Sequence, residues 1–303
     1  MSLLSALASR QLLVVTGKGG VGKSVVSMVL ARLLAGSGRR VLLLEVDPRE
    51  NLHELAGVSP SGGDVVRLGP GLRLQNLQPK QVIEQVVRDH LRVEWLVRRV
   101  VASPVFTHFV DAAPGLKELA ILGHAFRVLH GHAHGVSAET VVLDAPATGH
   151  GMSLLAAPLV VSDVIRQGPF GHMASDLATL VGDPARTGIV VVTMAEEMPA
   201  QEALELRAAV MARLGRSPDL LLVNALYPDV PVGRSVADDP TGLAHLWFRR
   251  RAINDRELAG LRARWAGPIA ELPYLPVDRG PSLADALEPA LRDALAAAAE
   301  VGA

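Results

Sequence analysis

The chain has 303 residues, 49% of them apolar, a formal net charge of −1 and no cysteine. That length supports a full hydrophobic core, and a charge so balanced argues against an electrostatic nucleic-acid binder. The missing cysteine excludes disulfides, cysteine-ligated zinc and iron–sulfur clusters.

In chain order, the first nearly continuous apolar run covers residues 12–16, and similar runs follow at 41–47, 141–146, 189–194 and 220–226. Each predicts a parallel strand buried on both faces. A weaker strand candidate lies at 72–77. Residues 23–35 place Val25, Val26, Val29, Leu30, Leu33 and Leu34 at helical spacing, and Gly36 and Gly38 stop the pattern. Residues 200–214 repeat the arrangement, opened by Pro199 and closed by Gly215. Strands alternating with helices predict an α/β fold with a doubly wound, mostly parallel sheet.

The interval between Asp47 and Val141 breaks the alternation. Residues 80–101 and 116–129 read as helices, which predicts a helical insertion over about 80–135 on the sheet's carboxyl edge. A second helical piece is expected at about 158–187, and the alanine-rich stretch 283–303 reads as a closing helix. The whole of 1–303 is expected to form one domain. No basic leader precedes the first apolar residues and no apolar run approaches a membrane span, so the expectation is a cytoplasmic chain that is not an integral membrane protein.

Only four of the 30 basic residues are lysines, Lys18, Lys23, Lys80 and Lys117, and two of them share one glycine-rich stretch. That stretch, Gly17-Lys18-Gly19-Gly20-Val21-Gly22-Lys23-Ser24, fits G-x-x-x-x-G-K-S and stands between a predicted strand and a predicted helix. Glycines allow successive backbone N–H groups to point at phosphate oxygens, and the helix N-terminus adds partial positive charge. Lys23 is expected to reach the β- and γ-phosphates and Ser24 to ligate Mg²⁺, with ATP and ADP as the nucleotides. Asp47 follows the second strong strand and is placed to position an attacking water. Asp144 ends the third and is placed to hold a magnesium-bound water. Ser24, Asp47 and Asp144 therefore make up the candidate magnesium set.

Lys18, at the start of the loop, marks the deviant Walker A form. On that motif the chain resembles the dimeric ATPases that include the nitrogenase iron protein, MinD, ParA, the arsenite-pump ATPase and the tail-anchored-protein targeting factor. Further motifs resemble the arsenite-pump and targeting branch. Asp47-Pro48-Arg49-Glu50-Asn51-Leu52 is similar to its DPAHNL switch I, and Asp144-Ala145-Pro146-Ala147-Thr148-Gly149-His150 to its DTAPTGH switch II. Pro114-Gly115-Leu116-Lys117-Glu118 resembles its PGxxE helix start, and Asp183-Pro184-Ala185-Arg186-Thr187 opens a segment like its DPxxTxFVxV…AE. Val223-Asn224-Ala225-Leu226-Tyr227-Pro228 resembles VNQLLP, and Pro273-Tyr274-Leu275-Pro276 resembles PLLP.

The resemblance implies that Lys18 crosses a dimer interface to the partner's nucleotide, that Lys18, Lys23 and Asp47 carry the hydrolysis, that Asn224 reads the adenine and that Pro276 flanks it. It implies a dimer, homomeric or formed with a related ATPase, and a protein cargo or effector. Two departures narrow it. Without cysteine the chain lacks the metalloid ligands of the pumps. The stretch 244–251, before further arginines, also lacks the thiols of the targeting factors' zinc clasp.

Other features read more plainly. Arg249, Arg250, Arg251, Arg256, Arg262 and Arg264 suit a surface for phosphate, RNA or an acidic partner, but are better read as a solvated helix face paired with Asp255 and Glu257. His124, His130, His132 and His134 crowd together without a nearby carboxylate, a poor metal set. Val86, Trp95, Leu116, Leu119 and Phe126 suit either a groove for a hydrophobic peptide or a plain helical core. The function expected from sequence is a Mg-dependent ATP hydrolase acting as a nucleotide-switched dimer that binds and releases a protein partner. The alternatives are a MinD- or ParA-like positioning ATPase on membrane or DNA, and a nucleotide-held scaffold with little hydrolysis.

Overall fold

The structure, a computed structural model, describes residues 2–47, 49–91, 93–104, 106, 108, 113, 115–133, 135–146, 151–164, 167–229 and 242–301. Pro48, Pro114, His134 and residues 147–150, named in the motifs above, lie outside the described residues.

Eight strands form one sheet: β1 (Leu12–Thr16), β2 (Val41–Glu45), β3 (Val66–Gly69), β4 (Leu72–Asn76), β5 (Thr140–Asp144), β6 (Thr187–Met194), β7 (Leu220–Leu226) and β8 (Ile269–Pro273). Their order is β3-β4-β2-β5-β1-β6-β7-β8. Every neighbouring pair is parallel except β3 and β4. The described helices are α1 (Leu3–Ala8), α2 (Lys23–Gly36), α3 (Asn51–Ala56), α4 (Pro79–Leu91), α5 (Glu94–Val101), α6 (Leu116–Leu129), α7 (Gly151–Val164), α8 (Gly168–Gly182), α9 (Glu197–Leu214), α10 (Leu243–Arg264) and α11 (Pro281–Val301).

The apolar runs are continuous because both faces of the sheet are covered. Leu12, Val14, Leu42, Leu44, Val141 and Leu143 point into one layer, shared with Leu119 of α6, Leu155 of α7, Leu177 of α8 and Leu261 of α10. Their neighbours Leu13, Val15, Leu43 and Val142 point into the other, with Val26 and Leu30 of α2, Leu52 of α3 and Leu291 of α11. The first half of the chain builds the sheet to one side of β1, and β6 onward builds it to the other. The carboxyl end of β1 therefore stands at the switch point, where such sheets open a crevice.

Some boundaries differ from the sequence reading. The candidate at 72–77 is β4, paired in parallel with β2. Two edge strands carry too little apolar signal to be read alone: β3 is four residues long, and β8 buries only Ala270 and Leu272 in alternation. Residues 80–101 form two helices, α4 ending at Leu91 and α5 starting at Glu94. Leu116, Leu119 and Leu122 bury against the sheet, whereas Trp95 is two-thirds exposed.

His124 ties α6 to β4, its Nε2 lying 2.9 Å from Gln75 Oε1. Burial, with help from Arg127, pushes its pKa down to about 4. A histidine pKa below its ordinary value means that the folded state binds fewer protons than the unfolded one. Its stability contribution is complete above about pH 6.5 and is lost as pH falls towards 4. Between pH 7 and pH 4.5 this group alone is expected to cost about 2–3 kcal/mol. His124→Gln should flatten that part of the pH dependence, measured as the gap between variant and parent in urea unfolding at the two pH values.

Candidate functional site

The loop 17–24 leaves β1 and runs directly into α2. Three of its glycines have positive φ: Gly17 (147°), Gly20 (84°) and Gly22 (92°). Gly22 is the N-cap of α2 and offers no side-chain acceptor to the first turn, so the helix's leading N–H groups remain available to an anion. Lys23 is buried, and its ammonium donates to the Lys18 carbonyl at 2.7 Å. Burial lowers its pKa while Asp144 opposes the shift.

Asp144, at the end of β5, sits directly behind the loop. Ser24 Oγ donates to its Oδ2 at 2.6 Å, and Ser27 Oγ to its Oδ1 at 3.0 Å. Burial pushes its pKa up to about 6, against the pull of those hydroxyls and of Lys23. Asp47 follows β2 and is held at both backbone and side chain. Its N–H donates to Asn76 Oδ1 at 3.2 Å, and Asn76 Nδ2 donates to its carbonyl at 2.9 Å. Its carboxylate accepts the Arg49 N–H at 2.8 Å and the Asn51 side-chain amide at 2.7 Å.

These groups face a cavity of about 520 Å³, lined by residues 20–25 and 45–47, by Asn51, Asp144, Asn224, Tyr274, Leu275 and Arg279, and by others. That volume suits a nucleotide-sized ligand. Asn224 is buried, and its side-chain amide donates to the Val21 carbonyl at 2.9 Å, so it braces the loop as well as lining the cavity. Pro276 is exposed and stands outside the lining, whereas Pro273, Tyr274, Leu275 and Val277 of the same segment are part of it. Tyr274 stacks on Tyr227 with ring centroids 5.2 Å apart. Gly17 and Gly19 shape the loop without lining the cavity, and Lys18 turns away to pair with Glu202 of α9 at 2.5 Å.

Sequence reasoning missed Glu45 and Arg279, and within the segment likened to PLLP it singled out Pro276 where Tyr274 and Leu275 line the cavity. Glu45 ends β2 and is 1% exposed. One carboxyl oxygen accepts the Leu52 N–H at 2.9 Å, while the other is buried beyond hydrogen-bond distance of its nearest charged neighbour, His53 Nδ1 at 3.8 Å. Burial pushes its pKa up to about 8, opposed by that N–H and reinforced by Asp144, Asp47 and Glu50. The signal that could have found it is a charged residue inside a run that otherwise reads as a doubly buried strand.

The donor set fits magnesium and a polyphosphate together. Glu45, Asp47 and Asp144 bring carboxyl groups to the same cavity as Lys23 and the uncapped helix end. A hard divalent cation is the group that reconciles clustered carboxylates with phosphate oxygens. Four arginines of α10 are engaged elsewhere: Arg250 pairs with Glu196, Arg251 with Asp255, Arg256 with Glu257 and Arg262 with Glu271. Among the described residues, no group of three histidine, aspartate or glutamate side chains is arranged to hold a metal by itself. No described helix is long and apolar enough to cross a membrane.

A glycine-rich loop at the switch point of a doubly wound sheet, its serine bonded to the carboxylate of a neighbouring strand, defines a P-loop nucleotide-binding protein. Residues 10–175, more than half the chain, match the anion-transporting ATPase (ArsA) family, and the chain belongs to that family. It is 31% identical over 211 residues to the ATPase BagA of Mycobacterium tuberculosis, covering 66% of this chain and 61% of that protein. It is 27% identical over 273 residues to an arsenical pump-driving ATPase of Escherichia coli, covering 83% of this chain and 44% of the pump protein. Over 150 residues it is 26% identical to the ATPase ASNA1 homolog 2 of Paramecium tetraurelia, covering 48% and 44%. The matches thus span less than two thirds of each of these relatives.

Proposed function

We propose that this chain is a magnesium-dependent ATPase that works as a nucleotide-switched dimer and binds and releases a protein partner. The observation that carries the reading is the Ser24–Asp144 bond at 2.6 Å beside buried Lys23, at the mouth of an uncapped helix. The backbone of 17–24 and Lys23 hold the phosphates. Ser24, Asp47 and Asp144 hold the metal, which when bound neutralises phosphate charge, and Asp47 orients the attacking water. Asn224 and the segment Pro273–Tyr274–Leu275, in place of Pro276, take the base. Family membership and relatives named as ATPases support hydrolysis.

Lys18 supports the dimer. It belongs to the loop, yet its side chain leaves its own cavity to pair with Glu202 and is about one-third exposed, so a second subunit's phosphates would compete with that carboxylate for it. That second subunit is another copy or a related ATPase. Hydrolysis is then sensed at Asp47 and Asp144, at the ends of β2 and β5, and α4 to α6 carry the change to a protein cargo. Metalloid transport is not part of the proposal, because the chain has no thiol to hold the metalloid.

The test is Lys18→Ala. Phosphate release is expected to fall by about 1,000-fold, the scale of a charge supplied in trans to the transferring phosphoryl group. Binding of a fluorescent ATP analogue should stay within about threefold of the parent, since Lys18 does not line its own cavity. Full turnover in the variant, or a chain that stays monomeric by sedimentation with ATP and magnesium, would overturn the dimeric mechanism.

A further inference from the structure

Arg279 stands in the loop between β8 and α11, yet it bonds to the helix that follows β2. β2 is third in the sheet and β8 is eighth, so this contact joins two distant parts of the crevice rim. The guanidinium donates to Asn51 Oδ1 at 2.7 Å and lies 3.5 Å from Glu54. The other end of the same Asn51 amide donates to Asp47 Oδ2 at 2.7 Å. An amide has one acceptor end and one donor end, and here each end has a chemically suitable partner: guanidinium on the oxygen, carboxylate on the nitrogen. Rotating the amide by half a turn would set donor against donor and acceptor against acceptor.

We infer that Arg279 is a positioning residue for the proposed hydrolysis, holding the Asn51 amide so that Asp47 keeps one orientation. Arg279 shares its loop with Tyr274 and Leu275, which, like Arg279 itself, line the cavity. A nucleotide that settles against that segment therefore fixes the loop, the loop fixes Arg279, and Arg279 fixes Asp47 through Asn51. The loop becomes a sensor that links contact of the nucleotide with Tyr274 and Leu275 to water placement by Asp47. The inference rests on the ATPase reading above.

Arg279→Met is expected to lower kcat about tenfold, the effect of losing one hydrogen bond to a charged group, with KM and the affinity for a fluorescent ADP analogue within twofold. Arg279→Lys keeps a cationic donor and should recover most of kcat. Asn51→Leu should match Arg279→Met, and the double variant should be no slower than the slower single one, since both cut the same relay. Glu54→Gln removes only the longer, exposed ion pair and should leave turnover unchanged. If Arg279 instead bound phosphate directly, Arg279→Met would weaken nucleotide affinity and the double variant would be additive; either result overturns the inference. Parent turnover left intact by Arg279→Met overturns it alone, whereas a parent with no turnover overturns the ATPase reading and this one with it.

Discussion

Lys23→Ala is expected to weaken ATP binding by about 100-fold or more and to reduce phosphate release to background. The ammonium is buried at the loop, where burial lowers its pKa and Asp144 opposes the shift. Such a group is costly to maintain for folding and valuable only when an anion arrives. With phosphate oxygens in the cavity it makes charge-assisted bonds, each of roughly 1.5–3 kcal/mol, and two of them account for the expected loss of affinity. Stability distinguishes this result from misfolding. Removing an under-compensated buried charge should leave the nucleotide-free protein at least as resistant to urea as the parent. Lys23→Arg should not rescue binding, because a planar guanidinium has a different shape and reach from a compact ammonium. A variant that binds ATP normally would mean that the cavity holds its anion elsewhere, and the nucleotide site would have to be moved.

Which parts of the site were legible in the sequence follows from what a linear pattern can carry. The loop 17–24 and the strands β1, β2, β5, β6 and β7 were readable because local geometry and double burial write themselves into adjacent residues. Asp47 and Asp144 were readable as carboxylates at strand ends, and the structure places both in the cavity. Glu45 was passed over because it lies inside the apolar run 41–47, where side chains alternate between two buried layers and only its charge, not a period, marks it out. Arg279 was hidden for a different reason. Its partner Asn51 is 228 positions away, and a contact between two loops leaves no periodicity in either. Lys18 was found by motif, but its pairing with Glu202 is equally non-local and came only with the fold. Asn224 and Pro276 came from resemblance. The fold adds the Asn224 bond to Val21, and around Pro276 it brings the flanking Tyr274 and Leu275 to the cavity instead.

The glycines of the loop illustrate the same limit, and they give the second large expected effect. The motif treats them alike, whereas the structure does not. A Cβ on Gly17 would lie 2.1 Å from the Val192 carbonyl oxygen and 3.1 Å from its carbonyl carbon. Those are backbone atoms of β6, and Thr16 pairs with Val191 immediately beside them, so relief would require β1 and β6 to part. The φ of 147° adds strain for any L side chain. Gly17→Ala is therefore expected to destabilise the nucleotide-free protein by about 3 kcal/mol or more. At Gly22 the clash is with the Asn224 side-chain amide, at 2.2 Å. Gly22→Ala should accordingly cost less stability, because a side chain can move, but should lose the Asn224–Val21 bond and weaken nucleotide binding. A methyl on Gly20 would meet nothing within 4 Å and face only the strain of a φ of 84°, so Gly20→Ala should cost about 1 kcal/mol. Urea unfolding of the three variants without nucleotide ranks them, with Gly17→Ala far below the others. Equal losses at Gly17 and Gly20 would show that β1 and β6 part easily at their carboxyl ends, and the loop would then lack the rigid seat that its phosphate-binding geometry requires.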